Sequence, residues 1–292
     1  MNLFQSIRAR SHPLHALRKL KFFQAIPRHF DPMIRWRTPR FPKPIYLRLV
    51  SHASLIFDAV APEASIRETF AAILQAFPKT NSAAFWDVGA NIGLYSWEWA
   101  VSRPDFEIVS FEPDLKNLQC LRRTSRAWNL SHHTIVAQAV AEKTARAAFS
   151  PDDITGATGT LETTDQTFNA LHYGRSSRLV EVDTISLDEF LRTGHHPPAI
   201  IKIDVEGAEL RVLKGAATLI GEHQPVLFLE MFSRRNEILS YLKEFGYSVY
   251  DSDRREDISN DTMNIVAVVP EAWPSALAAL SQLGYPISRQ HD

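Results

Sequence analysis

The sequence contains a single cysteine, Cys120, and no apolar run long enough for a signal peptide or a membrane span. An intramolecular disulfide is therefore excluded, and a reducing compartment is the simplest expectation. With 292 residues, of which 45% are apolar and 22% charged, the chain can bury a large core, and we interpret Cys120 as part of it. These features predict a soluble, cytoplasmic globular protein.

Acidic residues are almost absent from the first 57 residues, where Asp31 stands against eleven Lys and Arg. Such a segment could contact anionic lipid head groups at the inner face of a membrane, or nucleic acid, because like charges on one segment add their fields. It could equally lie on the acidic remainder of the fold or on a partner subunit in a homodimer. We do not expect nucleic acid as a partner.

Prolines separate this basic region from the rest of the chain. Residues 37–44, "RTPRFPKP", contain three prolines and predict an extended linker rather than a helix. We therefore divide the chain into a basic arm over 1–44, an extension over 45–78 that packs on the core, and a main domain over 79–292.

The main domain alternates strands and helices. Because each crossover helix must pack back on the sheet, this alternation predicts an α/β fold with a mostly parallel sheet covered on both faces. The extension reads as one or two strands over 45–60 and a helix over 62–77, and the polar segment 151–177 as a lid over the acceptor. Strands are predicted at 83–88, 106–111, 133–140, 146–150, 178–183, 199–204 and 225–230, with two more in "YSVYDS" and "MNIVAVVP"; helices are predicted at 93–102, 114–128, 186–192, 207–220, 233–245 and about 272–283.

A glycine-containing turn comes after the first of these strands, in "FWDVGANIGLYSWEWA" at 85–100. Gly89 and Gly93 lack a Cβ, so the backbone can adopt positive φ and a ligand can lie against it. The Gly-Ala-Asn-Ile-Gly spacing is neither a dinucleotide fingerprint nor a phosphate loop. Asp87 would repel a pyrophosphate but suits the ammonium of an amino acid, which disfavours a nicotinamide-dependent oxidoreductase.

A second carboxylate, Glu112 in "SFEP", ends the next strand, where an acid can accept hydrogen bonds from both ribose hydroxyls. Other interpretations are a helix N-cap for Asp87 and a solvated strand end for Glu112. Together the two acids and the glycines fit a ligand with a ribose, an amino acid and no phosphate, a description that S-adenosylmethionine matches. Tyr95 and Ser96, which start the following helix, could reach the methionine carboxylate.

Four stretches give the sequence a family likeness: "WDVGANIGLYS", "SFEPDLKNLQCLRR", "IIKIDVEGAELRVLKGA" and "PVLFLEM", which span roughly residues 80–231. They resemble the FkbM-type S-adenosylmethionine-dependent methyltransferases. The resemblance implies a class I methyltransferase (Rossmann-like) fold of seven strands with the last antiparallel, and O-methyl transfer to a hydroxyl of a sugar, glycan or secondary metabolite. It also implies that Asp87, Gly89, Ala90, Asn91 and Gly93 line the cofactor, that Glu112 holds the ribose, and that Ala139 and Val140 edge the adenine.

The acids of "KIDVEGAE" are the candidates for the chemistry, because they come after the strand whose end faces the transferable methyl group in this fold. Asp204 is the first choice for a general base or acceptor-orienting group that also borders the cofactor, and Glu206 the second. Alternatively, Glu206 or Glu209 only favours the following helix N-terminus. Lys202 alternates with apolar residues and is interpreted as snorkelling or paired with an acid.

Glu230, at the end of "PVLFLEM", is a third candidate. If its strand neighbours that of Asp204, the two carboxylates could bind Mg²⁺, share a proton or pair with Lys202; a metal is possible but not expected. The alternative to an enzyme is a non-catalytic methyltransferase-like module whose basic arm docks to a membrane or nucleic acid.

Overall fold

The structure is a computed structural model that describes residues 30–57, 64–77, 84–104, 106–152, 155–161 and 178–287. Residues 1–29 of the predicted basic arm and 162–177 of the predicted lid lie outside the described residues. In chain order the elements are β1 Met33–Trp36, β2 Ile45–Arg48, α1 Ala53–Phe57, α2 Ala64–Ala76, β3 Ala84–Val88, α3 Leu94–Ser102, β4 Glu107–Phe111, α4 Leu115–Trp128, β5 His133–Val136, β6 Ala139–Val140, β7 Ala145–Phe149, β8 Val180–Ile185, α5 Leu187–Leu191, β9 Pro198–Ile203, α6 Glu209–Lys214, α7 Ala217–Glu222, β10 Val226–Glu230, α8 Arg235–Glu244, β11 Ser248–Asp251, β12 Asn264–Val268 and α9 Pro274–Gln282.

The central sheet has seven strands in the order β5-β4-β3-β9-β10-β12-β11. β12 runs antiparallel to both of its neighbours, and the other pairings are parallel. This is the class I methyltransferase arrangement, so the predicted fold class is confirmed. Chain order reverses between β3 and β9, and in open parallel sheets such a switch point leaves a crevice for a ligand at the strands' carboxyl ends.

Apolar residues cover both faces of this sheet, which explains why β3 and β9 are buried along their whole length. Phe85 of β3 faces the layer that contains α2, α3 and α4, where it stacks on Trp99 at 5.1 Å between ring centroids. Trp86 faces the opposite layer and packs edge-on against Phe190 of α5. Burying each such side chain stabilises the fold by about 1.5–3 kcal/mol or more.

A small second sheet, in the order β6-β8-β7, stands beside the central one. The strand predicted over 133–140 is divided between the two sheets, because β5 pairs with β4 whereas β6 pairs with β8. The division brings Ala139 and Val140 away from the central sheet and to the edge of its crevice.

Residues 37–44, predicted as a linker, instead connect β1 and β2 in an antiparallel hairpin. The hairpin packs on α4, since the Trp128 indole Nε1 donates to the carbonyl of Pro44 at 2.9 Å and Phe41 meets the Trp128 ring edge-on. The boundary predicted at residue 44 therefore falls inside a hairpin. The three prolines lie in the turn that joins the two strands, where the Phe41 amide donates to the carbonyl of Thr38 at 3.4 Å.

Two further predictions were wrong in detail. The second part of the segment 45–60 forms α1 rather than a strand, after a turn that the Asp31 carboxylate holds by accepting from the Val50 and Ser51 amides. The helix predicted over 207–220 is two helices, α6 and α7, separated at Gly215, where an added Cβ would stand 2.3 Å from the carbonyl oxygen of Ala141.

Cys120 is fully buried in the core as predicted. In the part of the chain that the structure describes, no helix has the length and apolar character needed to cross a bilayer.

Candidate active site

A cleft opens at the carboxyl ends of β3, β4 and β9, at the switch point of the sheet. Main-chain turns form its floor, polar side chains line one wall, and a loop from the small sheet forms the other. The lining residues are Gly89, Asn91, Phe111, Glu112, Pro113, Asp114, Asn117, Ala139, Val140, Phe149, Asp152, Gly156, Ala157, Gly159, Thr160, Leu161, Asp204 and Val205.

Both glycines of the turn after β3 have positive φ, 76° at Gly89 and 85° at Gly93. A Cβ at Gly89 would lie 1.9 Å from the carbonyl oxygen of Asp204, so this glycine lets the ends of β3 and β9 meet. A Cβ at Gly93 would lie 2.5 Å from Leu121, so that glycine lets α3 and α4 pack. Gly89 lines the cleft as predicted, whereas Gly93 and the buried Ala90 do not.

Asn91 and Glu112 form the polar wall. Asn91 has φ 55°, and its amide donates to Glu112 Oε2 at 2.7 Å, while the amide of Asp114 donates to Glu112 Oε1 at 2.7 Å. The side chain of Asn117 also hydrogen-bonds the carboxylate. Because a carboxylate has about four acceptor positions, capacity for a hydroxyl donor from a ligand remains.

The surroundings of Glu112 also disfavour the ionised form of its carboxyl group. Burial, followed by the negative charge of Asp114, raises its pKa to about 8. Hydrogen bonds from a ligand's hydroxyl groups would favour the ionised form and oppose this shift. The carboxyl group is therefore in an environment that a ligand with hydroxyl donors would improve.

Asp87 does not face the cleft. Its Oδ2 accepts hydrogen bonds from the Ser96 amide at 3.1 Å and the Ser96 hydroxyl at 2.6 Å, both inside the protein. Ser96 lies in the first turn of α3, so Asp87 satisfies one of the free amides of that helix start from outside the helix, although the N-cap residue itself is Gly93 and not Asp87. Burial raises its pKa to about 6. The predicted contact of Asp87 with an ammonium group is absent from this arrangement.

Tyr95 and Ser96 are likewise internal. The Ser96 hydroxyl also bonds Ser110, and the Tyr95 ring packs edge-on against Phe70 with the Lys202 ammonium 5.2 Å from its centroid. The prediction that both residues reach a methionine carboxylate was wrong for Ser96 and finds no support for Tyr95, because the first turn of α3 turns these side chains into the core. Their position in the sequence, directly after the glycine turn, did not show that the two side chains point into the core.

Ala139 and Val140 line the cleft as predicted and are almost fully buried. Phe149 and Leu161 join them, so this end of the cleft is apolar. A flat apolar group such as an adenine ring suits this end, whereas hydroxyl groups suit the end formed by Glu112.

The segment 155–161 forms the second wall and was predicted only as part of a lid. Asp152 folds it, accepting from the amide of Thr155 at 2.9 Å and the hydroxyl of Thr158 at 2.9 Å. The carbonyl of Gly156 then accepts from the side-chain amides of Asn91 at 3.1 Å and Asn117 at 2.9 Å. This part of the segment is thus bound to Asn91 and Asn117 on the polar side of the cleft.

His52, Asn117 and Asp152 were missed in the sequence. His52 Nε2 contacts Asn91 Oδ1 at 3.3 Å, and burial lowers the His52 pKa to about 4, so the ring is neutral near pH 7. Asn117 stands three residues after the N-cap Asp114, a spacing that could have indicated its place at the helix start. The contacts of His52 and Asp152 join distant segments and leave no local signal.

Asp204 lies on the cleft wall directly after β9, and its side chain is 30% exposed. Its Oδ2 is 3.2 Å from the ammonium of Lys202, whose side chain is only 2% exposed. The predicted internal ion pair of Lys202 is confirmed. The pair orients one carboxylate oxygen toward the protein and fixes the group at the cleft edge.

Glu206 and Glu230 lie beyond Asp204 and do not line the cleft itself. β9 and β10 are neighbours, and Leu229 pairs with Ile203, so Glu230 and Asp204 come next at the same level. Burial and the charges of Glu230 and then Asp204 raise the pKa of Glu206 well above its usual value. The structure therefore brings the three predicted acids to one edge of the sheet.

Glu209 has the structural role that was the alternative for these acids. It is fully buried at the start of α6, and its Oε1 accepts from the amide of Gly207 at 2.7 Å. Within the described ranges, no three His, Cys, Asp or Glu residues are grouped in a way that could hold a metal ion.

Comparison with known proteins agrees with the fold. "Hexuronic acid methyltransferase AglP" of Haloferax volcanii is 28% identical over 133 residues, which are 44% of this chain and 48% of that protein. The match thus spans about half the length of that relative.

Two solved structures illustrate the likeness. The methyltransferase FkbM from Methylobacillus flagellatus KT has a TM-score of 0.44 and 22% identity, over 64% of this chain and 43% of that one. The N-terminal domain of human METTL16 in complex with SAH has a TM-score of 0.37 and 12% identity, over 69% of this chain and 66% of that one.

The model of the methyltransferase FkbM domain matches residues 87–249, which is more than half of the chain. The match includes the turn after β3, the polar wall of the cleft and all three acids at the ends of β9 and β10. The protein belongs to the FkbM methyltransferase family.

Proposed function

We propose that the protein is an S-adenosylmethionine-dependent O-methyltransferase that acts on a hydroxyl group of a sugar or glycan. The observation that supports the cofactor is the Glu112 carboxylate, held by two main-chain amides with acceptor capacity left for a hydroxyl donor. The ribose hydroxyls would donate to Glu112, and the adenine would lie by Ala139 and Val140. S-adenosylmethionine would supply an electrophilic methyl group.

Asp204 is the proposed general base. An acceptor hydroxyl becomes a better nucleophile when its proton passes to a nearby carboxylate, and such a group typically contributes about 10²–10⁴-fold in rate. Of the three candidate acids after β9 and β10, Asp204 is the one that lines the cleft, and its Oδ2 lies 3.2 Å from the Lys202 ammonium. The methyl group would pass to the acceptor oxygen as its bond to the sulfonium sulfur breaks, which would leave S-adenosylhomocysteine, and the hydroxyl proton would pass to Asp204.

Glu206 is the second candidate for this role. Burial and the charges of Glu230 and Asp204 raise the pKa of Glu206, so this carboxylate takes up a proton more readily than an ordinary glutamate does. Its backbone has φ 52°, a strained conformation for a residue other than glycine, and the Thr160 hydroxyl donates to its carbonyl at 2.8 Å. The loop 155–161, which forms one wall of the cleft, therefore also contacts the edge of the sheet where the acceptor would bind.

The sugar acceptor rests on two supports. The family relative AglP is by name a hexuronic acid methyltransferase. A group of carboxylates at the cleft edge also provides hydrogen-bond acceptors of the kind that bind sugar hydroxyls.

Titration calorimetry with S-adenosylmethionine tests the cofactor, with NADH as the competing ligand. Saturable binding of S-adenosylmethionine that Glu112→Ala weakens supports the proposal. Binding of NADH alone would point to an oxidoreductase, and binding of neither to a non-catalytic module. Transfer of labelled methyl groups to a panel of hexoses and hexuronic acids then tests the acceptor; transfer only to amine acceptors would contradict O-methylation.

A further inference from the structure

A positively charged surface lies on the β1–β2 hairpin and on α4, outside the cleft. Five exposed cations make it up, and we call them the basic face: Arg35, Lys43, Arg122, Arg123 and Arg126. In the described part of the chain, no carboxylate lies within ion-pair distance of any of them.

The hairpin contributes its outer side. Arg35 pairs in register with Tyr46, so both side chains project from the same side of the hairpin, while Ile45 and Leu47 on the other side are fully buried. The guanidinium of Arg123 lies 5.3 Å from the centroid of the Tyr46 ring. Tyr46 therefore joins the cations of the hairpin to those of α4.

The helix contributes one exposed stripe. The exposed residues of this stripe recur at helical spacing and are Leu115, Gln119, Arg122, Arg123 and Arg126. α4 contains no acidic residue. The positive charge on this stripe is therefore not compensated within the helix.

Two large apolar side chains flank one end of the basic face. Arg48 donates to Gln119 of α4 and, at 3.0 Å, to the carbonyl of Asp31. Leu115 lies one helical turn from Gln119 and is 72% exposed, and Phe30 precedes Asp31 and is 62% exposed. Exposed apolar side chains beside cations are the combination that peripheral membrane proteins use, because the apolar groups enter the lipid while the cations contact the head groups.

From these observations we propose that the basic face is a docking surface for an anionic lipid bilayer. The composition of residues 1–29 favours lipid over nucleic acid. That segment contains six Lys or Arg, no acid and nine Leu, Ile or Phe, and it joins the folded body at Phe30, beside the basic face. Binding to nucleic acid would need the cations but not the exposed leucine and phenylalanines.

Co-sedimentation of the full-length protein with phosphatidylcholine vesicles, with and without phosphatidylglycerol, tests the proposal. We expect binding only to the anionic vesicles, with a decrease at high salt. The triple variant R122Q/R123Q/R126Q should bind about 100-fold more weakly, since each basic residue near an anionic surface contributes roughly a factor of five.

The matched control is R192Q/K214Q/K243Q, which removes three exposed cations from the side of α5, α6 and α8 on the opposite layer of the sheet. It changes the net charge equally and should bind vesicles within about threefold of wild type. Circular dichroism melting establishes that both triple variants fold. Leu115→Ser should weaken vesicle binding but leave any binding to oligonucleotides unchanged.

Three results would overturn the proposal: equal loss in the two triple variants, unchanged vesicle binding in R122Q/R123Q/R126Q, or binding of oligonucleotides without binding of anionic vesicles. The second would assign the lipid contact to residues other than the basic face. None of these results bears on cofactor binding, because the basic face and the cleft share no residue.

Discussion

The β3–β4 half and the β9–β10 half of the sheet edge differ in what surrounds their carboxylates. On the first half, Asp87 and Glu112 each accept hydrogen bonds from main-chain amides. On the second half, burial and then the charges of Glu230 and Asp204 raise the pKa of Glu206 well above its usual value. The first arrangement fixes the position of each carboxylate as a hydrogen-bond acceptor. In the second, binding of a proton reduces the repulsion between neighbouring carboxylates.

We expect the two halves to have different roles, one in ligand binding and the other in proton uptake. Groups that must bind one ligand in one geometry gain from rigid partners, since preorganisation lowers the entropy cost of binding. A group that must take up a proton gains from a pKa near the working pH, which like charges provide. The two halves can be separated by experiment because a binding defect and a rate defect have different kinetic signatures.

The largest effect is expected for Asp204→Asn. If Asp204 is the base, this change should lower kcat by about 10²–10⁴-fold while the dissociation constant for S-adenosylmethionine changes less than about threefold. Steady-state kinetics and calorimetry measure the two quantities. Glu206→Gln is the comparison; a larger loss of kcat in Glu206→Gln than in Asp204→Asn would transfer the base to Glu206.

The next effect concerns the contact between the halves. Gly89→Ala should lower the free energy of unfolding by about 3 kcal/mol or more, because its Cβ would overlap the carbonyl of Asp204 and its φ is positive. Gly246→Ala is the matched control, since Gly246 has φ 80° and nothing within 4 Å of the added Cβ. It should cost only about 1 kcal/mol. Denaturant unfolding measures both, and equal costs would contradict a tight junction.

Glu112→Gln tests whether the first half of the sheet edge contributes to cofactor binding. It keeps a side-chain oxygen for one main-chain amide but loses the charge and one acceptor, so S-adenosylmethionine should bind about 10–100-fold more weakly. Calorimetry measures the affinity. Glu181→Gln, an exposed acid on β8, provides the control and should bind as wild type does.

The smallest effect is a pH dependence. Free Glu112 has a pKa of about 8, raised by burial, and the ionised form is the one that accepts from hydroxyl donors. Binding should therefore release a proton below about pH 8, and affinity should rise with pH up to that value and then level off. Calorimetry in buffers of different ionisation enthalpy measures the released proton. Glu112→Gln should abolish this dependence, and its persistence there would place the titration elsewhere.

The strand and helix pattern of the main domain was predictable because strands buried on both faces are almost continuously apolar, as in Pro198–Ile203. Glu112 and Asp204, which stand in the quoted family motifs, line the cleft, and so do Ala139 and Val140, which stand outside those motifs. The direction of a side chain was not predictable in the same way. Asp87 and Ser96 bond each other because the turn between them brings the end of β3 under the first turn of α3, which no local pattern reveals.

Errors at the N-terminal side have a similar cause. The prolines of 37–44 correctly excluded a helix, but the chain there makes a turn at 39–40 and bends at 42–43 rather than running extended. Its course depends on contacts with Trp128, more than eighty residues away. The second cleft wall depends on Asp152 and on the carbonyl of Gly156, and main-chain acceptors have no signature in a sequence.

The junction at Gly89 has a consequence for how such a site can change. Because the backbone of Gly89 rests directly against the carbonyl of Asp204, main-chain atoms fix the spacing between the turn after β3 and the proposed base. Substitutions of side chains on either wall of the cleft can thus change the substrate preference without altering that spacing.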